Sequence, residues 1–280
     1  MKAEGVALVT GARRGLGRAL ALELAARGFD VLATMRDVRA GESLRAAAGA
    51  DAKRIRLAAL DVTKPETIAL PEPLRVLVNN AGIETAYLPV EHAPREAWRS
   101  VFETNVFGLA ELTRRAIPAL RAAGGGVIAN VTSASLLFPM PFYAVYRASK
   151  AAVQALGESL VAELRPFGIR VIEVLPGPVE TDLLAGSERE PEAAAHAGYE
   201  ALASWAHLAR RGMNASTTPA GEAARRIADA ILDDASPLRV ACDEVGRAMI
   251  AGADAAPFGA RLDGALAAMP ECAARPARRR

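Results

Sequence analysis

Val6-Ala7-Leu8-Val9-Thr10-Gly11-Ala12-Arg13-Arg14-Gly15-Leu16-Gly17 carries two structural signals in succession, and the residues after it carry a third. Val6 to Val9 form a short apolar run, the pattern of a strand buried on both faces. Thr10 to Gly17 form a turn with glycine at Gly11, Gly15 and Gly17. Beyond it Leu20, Leu24 and Ala25 recur at helical spacing, and Arg27 followed by Gly28 marks the helix end. Strand, glycine-rich turn and helix together open a parallel α/β sheet. Such a turn lets the backbone approach a pyrophosphate and aims a helix N-terminus at it. Glycines also serve plain tight turns, so the reading depends on the rest of the chain.

Working outward, apolar runs at Val31 to Met35, Ile55 to Leu60, Leu74 to Val78, Val127 to Val131, Ile169 to Val174 and Leu238 to Ala241 read as further strands. Helical patterns separate most of them. Residues 94–121 place Trp98, Val101, Phe102, Val106, Leu109 and Leu112 on one side, and Ala152, Leu156, Leu160 and Leu164 repeat every four residues. Between Asp61 and Asn79 the chain is short and broken by Pro65, Pro71 and Pro73, so any crossover helix there is very short. The alternation predicts an α/β fold: a Rossmann-like, doubly wound parallel sheet of about seven strands with helices on both faces, in a single domain. That domain is expected over 1–252, with a substrate lid at about 183–218 where the alternation breaks. Residues 253–280 read as a C-terminal extension ending in a solvated basic tail, Arg275 to Arg280. The turns at 10–17, 79–82, 132–133 and 176–181 all follow strands, so they gather at one edge of the sheet, where ligands bind in such folds.

Composition narrows the function classes. The 280 residues are 51% hydrophobic and 24% charged, with a net charge of +2. This balance makes no demand for nucleic acid or membrane as partner. Cys242 and Cys272 show no metal-ligand spacing, so no metal site is expected. They form no disulfide framework either, which fits the cytoplasm. The first apolar run is too short for a signal-peptide core, and no uncharged run of about 18 residues predicts a transmembrane helix.

Chemistry concentrates between Ser133 and Lys150. Tyr146 and Lys150 stand four residues apart on one face of a predicted helix. An ammonium beside a phenol favours the phenolate, so the pair reads as a general acid/base whose tyrosine pKa is lowered by the lysine. Ser133 offers a hydroxyl to orient a carbonyl or alcohol oxygen. Leu136, Leu137, Phe138, Met140, Phe142 and Tyr143 either line a pocket for a bulky apolar substrate or pack the core, with Trp205 and Met213 of the lid joining them. At the end of the second strand, Met35 and Arg36 stand where a carboxylate would hold a ribose 2′-hydroxyl. Arg36 and Arg14 suit a 2′-phosphate instead; Arg36 pointing into solvent is the bland alternative. Asp37, one position further, is expected to face elsewhere. Asp61 reads as an adenine contact or a turn residue. Asn105, polar within an apolar helix, is a satisfied core group or a functional kink.

These motifs, TGARRGLG at 10–17, Asp61, NNAG at 79–82, Asn105, Ser133, Tyr146 with Lys150 and PGPVET at 176–181, resemble the short-chain dehydrogenase/reductase family. The resemblance covers about residues 5–182 by motif and extends to about 250 by architecture. It implies that Tyr146 is the acid in reduction and the base in oxidation, that Lys150 also bonds the nicotinamide ribose, that Ser133 holds the substrate oxygen and that Asn105 joins a proton relay. For the cofactor it implies Gly11, Gly15 and Gly17 at the pyrophosphate, with Arg13, Arg14 and Leu16 in the same turn. Asp61 and Val62 would meet the adenine, Asn80 with Ala81 and Gly82 the adenosine ribose side, and Thr181 with Pro176, Gly177 and Val179 the carboxamide. TMRD at 34–37, PFGIRVIEVLPGPVETDL at 166–183 and SPLRVACDE at 236–244 are more narrowly similar to estradiol-type 17β-hydroxysteroid and retinol dehydrogenases. Leu136 departs from the family, many of whose members have glycine there. The expectation is an NADP(H)-dependent oxidoreductase, NAD(H) being the less favoured cofactor, acting on a small-molecule alcohol/carbonyl pair as a homodimer or homotetramer. The alternatives are a non-catalytic dinucleotide-binding regulator or scaffold on the same fold and a sugar-nucleotide epimerase. An intact Asn-Ser-Tyr-Lys set argues against the first, and the few residues after 182 argue against the second.

Overall fold

The computed structural model describes residues 1–187 and 189–270. Its strands are β1 Val6–Val9, β2 Asp30–Met35, β3 Ile55–Ala59, β4 Leu74–Asn79, β5 Gly126–Val131, β6 Ile169–Val174 and β7 Arg239–Val240. They form one parallel sheet in the order β3-β2-β1-β4-β5-β6-β7, the doubly wound arrangement the alternation predicts. The winding reverses between β1 and β4, which lie side by side with Val9 opposite Val78. The crevice at their carboxyl ends is therefore the topological switch point.

The helices are α1 Gly15–Arg27, α2 Glu42–Ala47, α3 Arg95–Phe102, α4 Leu109–Ala122, α5 Ala144–Leu164, α6 Asp182–Ser187, α7 Glu200–Asn214, α8 Ala220–Leu232, α9 Glu244–Ala255 and α10 Phe258–Ala267. Side chains alternate across the sheet. Ala7, Val9, Val31 and Ala33 pack with Leu20 and Leu24 of α1 and Ile227 and Ile231 of α8. Leu8, Leu32, Leu77 and Ile128 pack on the opposite face with Leu112 and Leu120 of α4 and Leu160 and Leu164 of α5. Each buried Val, Leu or Ile among them contributes about 1.5–3 kcal/mol. The expected end of α1 is present: Gly28 takes a left-handed φ of 114°, and the N–H groups of Gly28 and Phe29 reach back to Ala25 and Leu24.

The β3-to-β4 crossover holds a single short 3₁₀ turn, Pro65–Thr67, in place of a helix. α3 and α4 join through a π turn, Glu103–Gly108, that contains Asn105. The region at 183–218, expected as a lid where the alternation breaks, is largely helical: most of α6 and all of α7 lie in it. Its Ala- and Gly-rich composition blurs the apolar period, although Ala203, Ala206 and Arg210 form a buried stripe along α7. The boundary expected at 253 falls inside α9, and α10 follows it. These last helices pack on the segment after Ser133, where the Arg261 guanidinium donates to the Leu137 carbonyl. Cys272 and the basic tail lie outside the described residues. Among the described residues no helix is long and apolar enough to cross a membrane.

Candidate active site

The carboxyl edge of the sheet opens into one cleft of about 1000 Å³. It runs from Arg36 at the end of β2, past the glycine turn, to the tyrosine of α5 and to helix α7. Arg13, Arg14, Leu16, Gly11 and Gly17 line it from the turn, Asp61 and Val62 from the end of β3, and Asn80, Ala81 and Gly82 from the end of β4. Ser133, Tyr146 and Lys150 line its inner half, and Pro176, Gly177, Val179 and Thr181 its roof. Of the residues that the motifs assign to cofactor or catalysis, Gly15 and Asn105 do not line the cleft.

The glycine turn depends on close approach. A Cβ on Gly17 would stand 2.3 Å from the Asn80 Nδ2 and 2.5 Å from the Gly11 carbonyl. Gly11 has φ +66°, a conformation that suits glycine. The Asn80 amide latches the turn by donating to the Thr10 carbonyl at 2.9 Å, and the Thr10 hydroxyl accepts from the backbone N–H groups of Asn80 and Ala81. No side chain caps the N-terminus of α1 and no acid sits in its first turn.

The charges at the β2 end sort themselves. Arg36 is exposed on the cleft wall. Asp37 reaches the same wall, but Arg39 takes its carboxylate from three donors, at 3.1–3.2 Å, and holds it below the usual carboxylate range. Arg14 pairs with Asp182 at 3.1 Å, joining the glycine turn to the loop after β6. Asp61 accepts from the backbone and hydroxyl of Thr63, so the turn role applies. Burial raises its carboxyl, but Thr63, Lys64 and Arg36 outweigh that and leave it below its ordinary value.

Helix α5 carries the inner half. Lys150 is 5% exposed, and its ammonium donates to the Val131 carbonyl at 2.8 Å. Burial pushes it down to about 8. Its Nζ stands 5.7 Å from the Tyr146 ring centroid. The Tyr146 phenol is not lowered, as the Tyr-Lys spacing leads one to expect, but raised. Burial is the main cause, Glu84 and Tyr143 add to it, and only Ser133 pulls the other way. Desolvation and the nearby acid thus disfavour the phenolate, and Lys150 contributes no lowering here. The Ser133 hydroxyl is oriented by accepting from the Ser135 N–H at 3.2 Å.

Asn105 is a satisfied core group located in an irregular turn. It is 1% exposed and sits in the π turn, a distortion frequent at functional sites. Its amide donates to the Ile83 carbonyl and the Ser149 hydroxyl and accepts from the Ile83 N–H, all within 3.0 Å. Both donors of the side chain are thus engaged in holding the chain after β4 against α5.

Among the apolar candidates Phe138, Met140, Tyr143 and Met213 line the cleft, whereas Leu136, Leu137, Phe142 and Trp205 do not. Leu137 instead packs inward. Val245 and Met249 of α9, Glu84 after β4 and Arg210 of α7 complete the wall, none of them marked by a motif. A further residue, Asp243, was missed because it touches the cleft only through others. It is 1% exposed and caps α9 by accepting from the Gly246 N–H at 2.7 Å, while its other oxygen accepts from the Gly177 N–H at 2.7 Å. The loop at 176–181 is also pinned by a parallel bridge between Val179 and Thr218.

The family model described as short chain dehydrogenase matches residues 5–192. The chain belongs to this family. Within it, the chain is 41% identical over 192 residues to an uncharacterized oxidoreductase of Bacillus subtilis, covering 65% of this chain and 68% of that one. It is 37% identical over 184 residues to human retinol dehydrogenase 8, covering 62% and 59%. A short-chain dehydrogenase from Burkholderia cenocepacia, solved in complex with NADP, superposes with a TM-score of 0.74 at 31% identity, covering 95% of this chain and 99% of that one. The short-chain dehydrogenase is thus an oxidoreductase of alcohols and carbonyls with a dinucleotide-binding fold.

Proposed function

We propose that the protein transfers a hydride between NADP(H) and the alcohol/ketone pair of a bulky, largely apolar substrate, with Tyr146 as general acid and base. The observation that carries this reading is the single cleft in which Ser133, Tyr146 and Lys150 share walls with the glycine turn. The uncapped N-terminus of α1 suits a pyrophosphate, because its N–H groups and the helix dipole both favour an anion. Arg13, Arg14 and Arg36 border the adenosine end; of the acids near them, Asp37 is held by Arg39, Asp182 by Arg14, and Asp61 accepts from Thr63. That balance favours a 2′-phosphate over a bare 2′-hydroxyl.

When bound, the nicotinamide supplies or takes the hydride. Ser133 holds the carbonyl oxygen at a fixed orientation. Tyr146 gives that oxygen its proton in reduction, and the burial that raises the phenol keeps it protonated and ready to donate. Lys150, anchored by the Val131 carbonyl, presents positive charge to the tyrosine and steadies the phenolate left behind. Phe138, Met140, Met213, Val245 and Met249 offer apolar surface to the substrate body. The reading extends to a homodimer or homotetramer in the cytoplasm.

Cofactor oxidation against a carbonyl panel, run with NADPH and with NADH, tests the proposal. Turnover with NADPH preferred, and the best kcat/KM on bulky apolar ketones, is the expected result. Preference for NADH or for short hydrophilic carbonyls overturns the corresponding part. No turnover with either cofactor returns the protein to the silent dinucleotide-binding reading.

A further inference from the structure

Arg210 lies beyond the stretch that the family model matches, on helix α7, and borders the inner end of the cleft. It is 3% exposed. Its guanidinium lies over the Tyr87 ring at 4.3 Å and near the Tyr143 ring at 5.4 Å, and these two rings stack on each other at 4.7 Å. Such contacts compensate part of the charge through the ring faces. They leave the in-plane donors unserved. Nη1 reaches the Tyr143 hydroxyl at 3.4 Å, while Nε and Nη2 are buried with no hydrogen-bond partner among the described residues.

Nε–H and Nη2–H form one edge of the guanidinium, the edge that grips a carboxylate through two parallel bonds. A buried cation with that edge unpaired is costly, because its water has been removed and not replaced. No ion pair to Arg210 occurs among the described residues. The acid whose charge reaches it is Glu84, which burial raises above its ordinary value despite Tyr87 and Arg210 pulling the other way. Glu84 is therefore a weak counterion.

We infer that Arg210 is the anchor for a carboxylate carried by the substrate, so that the preferred ketone or alcohol has an apolar body and one acidic end. This rests on the proposed alcohol/carbonyl chemistry at Tyr146. Tyr143 sets the spacing: its ring contacts the Tyr146 ring edge-on at 6.3 Å on one side and Arg210 on the other. The acid is thus held about one aromatic ring away from the reacting carbonyl. The residue already lines the cleft, and carboxylate binding requires its buried Nε–Nη2 edge to turn toward the ligand.

The test compares 4-acetylbenzoate and 3-benzoylpropionate, whose carboxylates stand a ring or two methylenes from the ketone, with their methyl esters in the wild type, Arg210→Gln and Arg210→Lys. The expected wild-type kcat/KM favours at least one acid over its ester by about tenfold or more, the scale of a charge-assisted pair. In Arg210→Gln that ratio collapses, chiefly through KM of the acid, and Arg210→Lys restores it in part. Equal treatment of acid and ester by the wild type, or an unchanged ratio in Arg210→Gln, overturns the inference while leaving the oxidoreductase reading intact. Calorimetric titration of benzoylpropionate into folded wild type and Arg210→Gln gives a readout without turnover. Binding that is lost with the arginine supports the anchor even if no carbonyl is reduced, and binding that is equal or absent in both overturns it.

Discussion

Tyr146 carries a transferable proton on a half-buried side chain that lines the cleft. Tyr146→Phe keeps most of the packing and removes the proton, so kcat falls by about 10²-fold or more, the scale of general acid/base catalysis. Steady-state kinetics with NADPH affinity measured in parallel check this; affinity should change little. Lys150 sets a pH limit. Its folded value of about 8 lies below that of an unfolded lysine, so the folded protein loses this proton first as pH rises. The kcat/KM for NADPH should hold below about pH 8 and fall above it. In stability the sign is opposite: the cost of burying the ammonium is full below pH 8 and is relieved from there up to the unfolded value. In Lys150→Met the limb near pH 8 disappears from both the kinetic and the stability profile. Arg36, exposed to solvent screening, makes a smaller contribution than a buried pair. Arg36→Ala should reduce the NADPH-over-NADH ratio of kcat/KM by about tenfold, and an unchanged ratio removes it as the selector.

Between elements, the loop at 176–181 owes its position to distant parts of the chain. Asp243 ties it to the start of α9, and a Cβ on Gly177 would stand 2.5 Å from the Asp243 Oδ1. Asp243→Ala leaves the Gly177 N–H and the first turn of α9 without an acceptor. A loss of about 1–2 kcal/mol follows, seen as a lower Tm. The KM for the cofactor should rise more than kcat falls, because the residue positions the loop and touches no reacting atom. The π turn at Asn105 acts similarly. In that turn the chain passes close to the segment after β3, where a Cβ on Gly108 would meet the Val62 carbonyl at 2.6 Å. Strand, helix and cleft floor are therefore set together.

For the whole molecule, the sheet supplies two buried faces and the cleft only one edge, so assembly has the outer helices to use. Phe107, in the turn joining α3 to α4, is 58% exposed, a large apolar side chain on the outer surface. Sedimentation should show a dimer or tetramer. Phe107→Asp should shift it toward monomer while the far-ultraviolet dichroism stays unchanged; a wild type that sediments as a monomer removes this assembly.

Local pattern determined much of this protein. The seven strands follow from short apolar runs punctuated by glycine, proline and asparagine, and the glycine turn, Ser133 and the Tyr146–Lys150 pair follow from spacing within single elements. Those signals are legible because strand and helix periods act over a few residues. Tertiary structure decided the rest. The direction of the Tyr146 shift depends on burial and on Glu84, which belongs to the loop after another strand. Arg14 found Asp182, Asp243 found Gly177, and Arg210 came to lie on Tyr87 and Tyr143, in each case across a large separation in the chain. Such charges reveal their role only when folding removes their water and chooses their neighbours, because desolvation and Coulomb energy depend on distance in space and not on position in sequence.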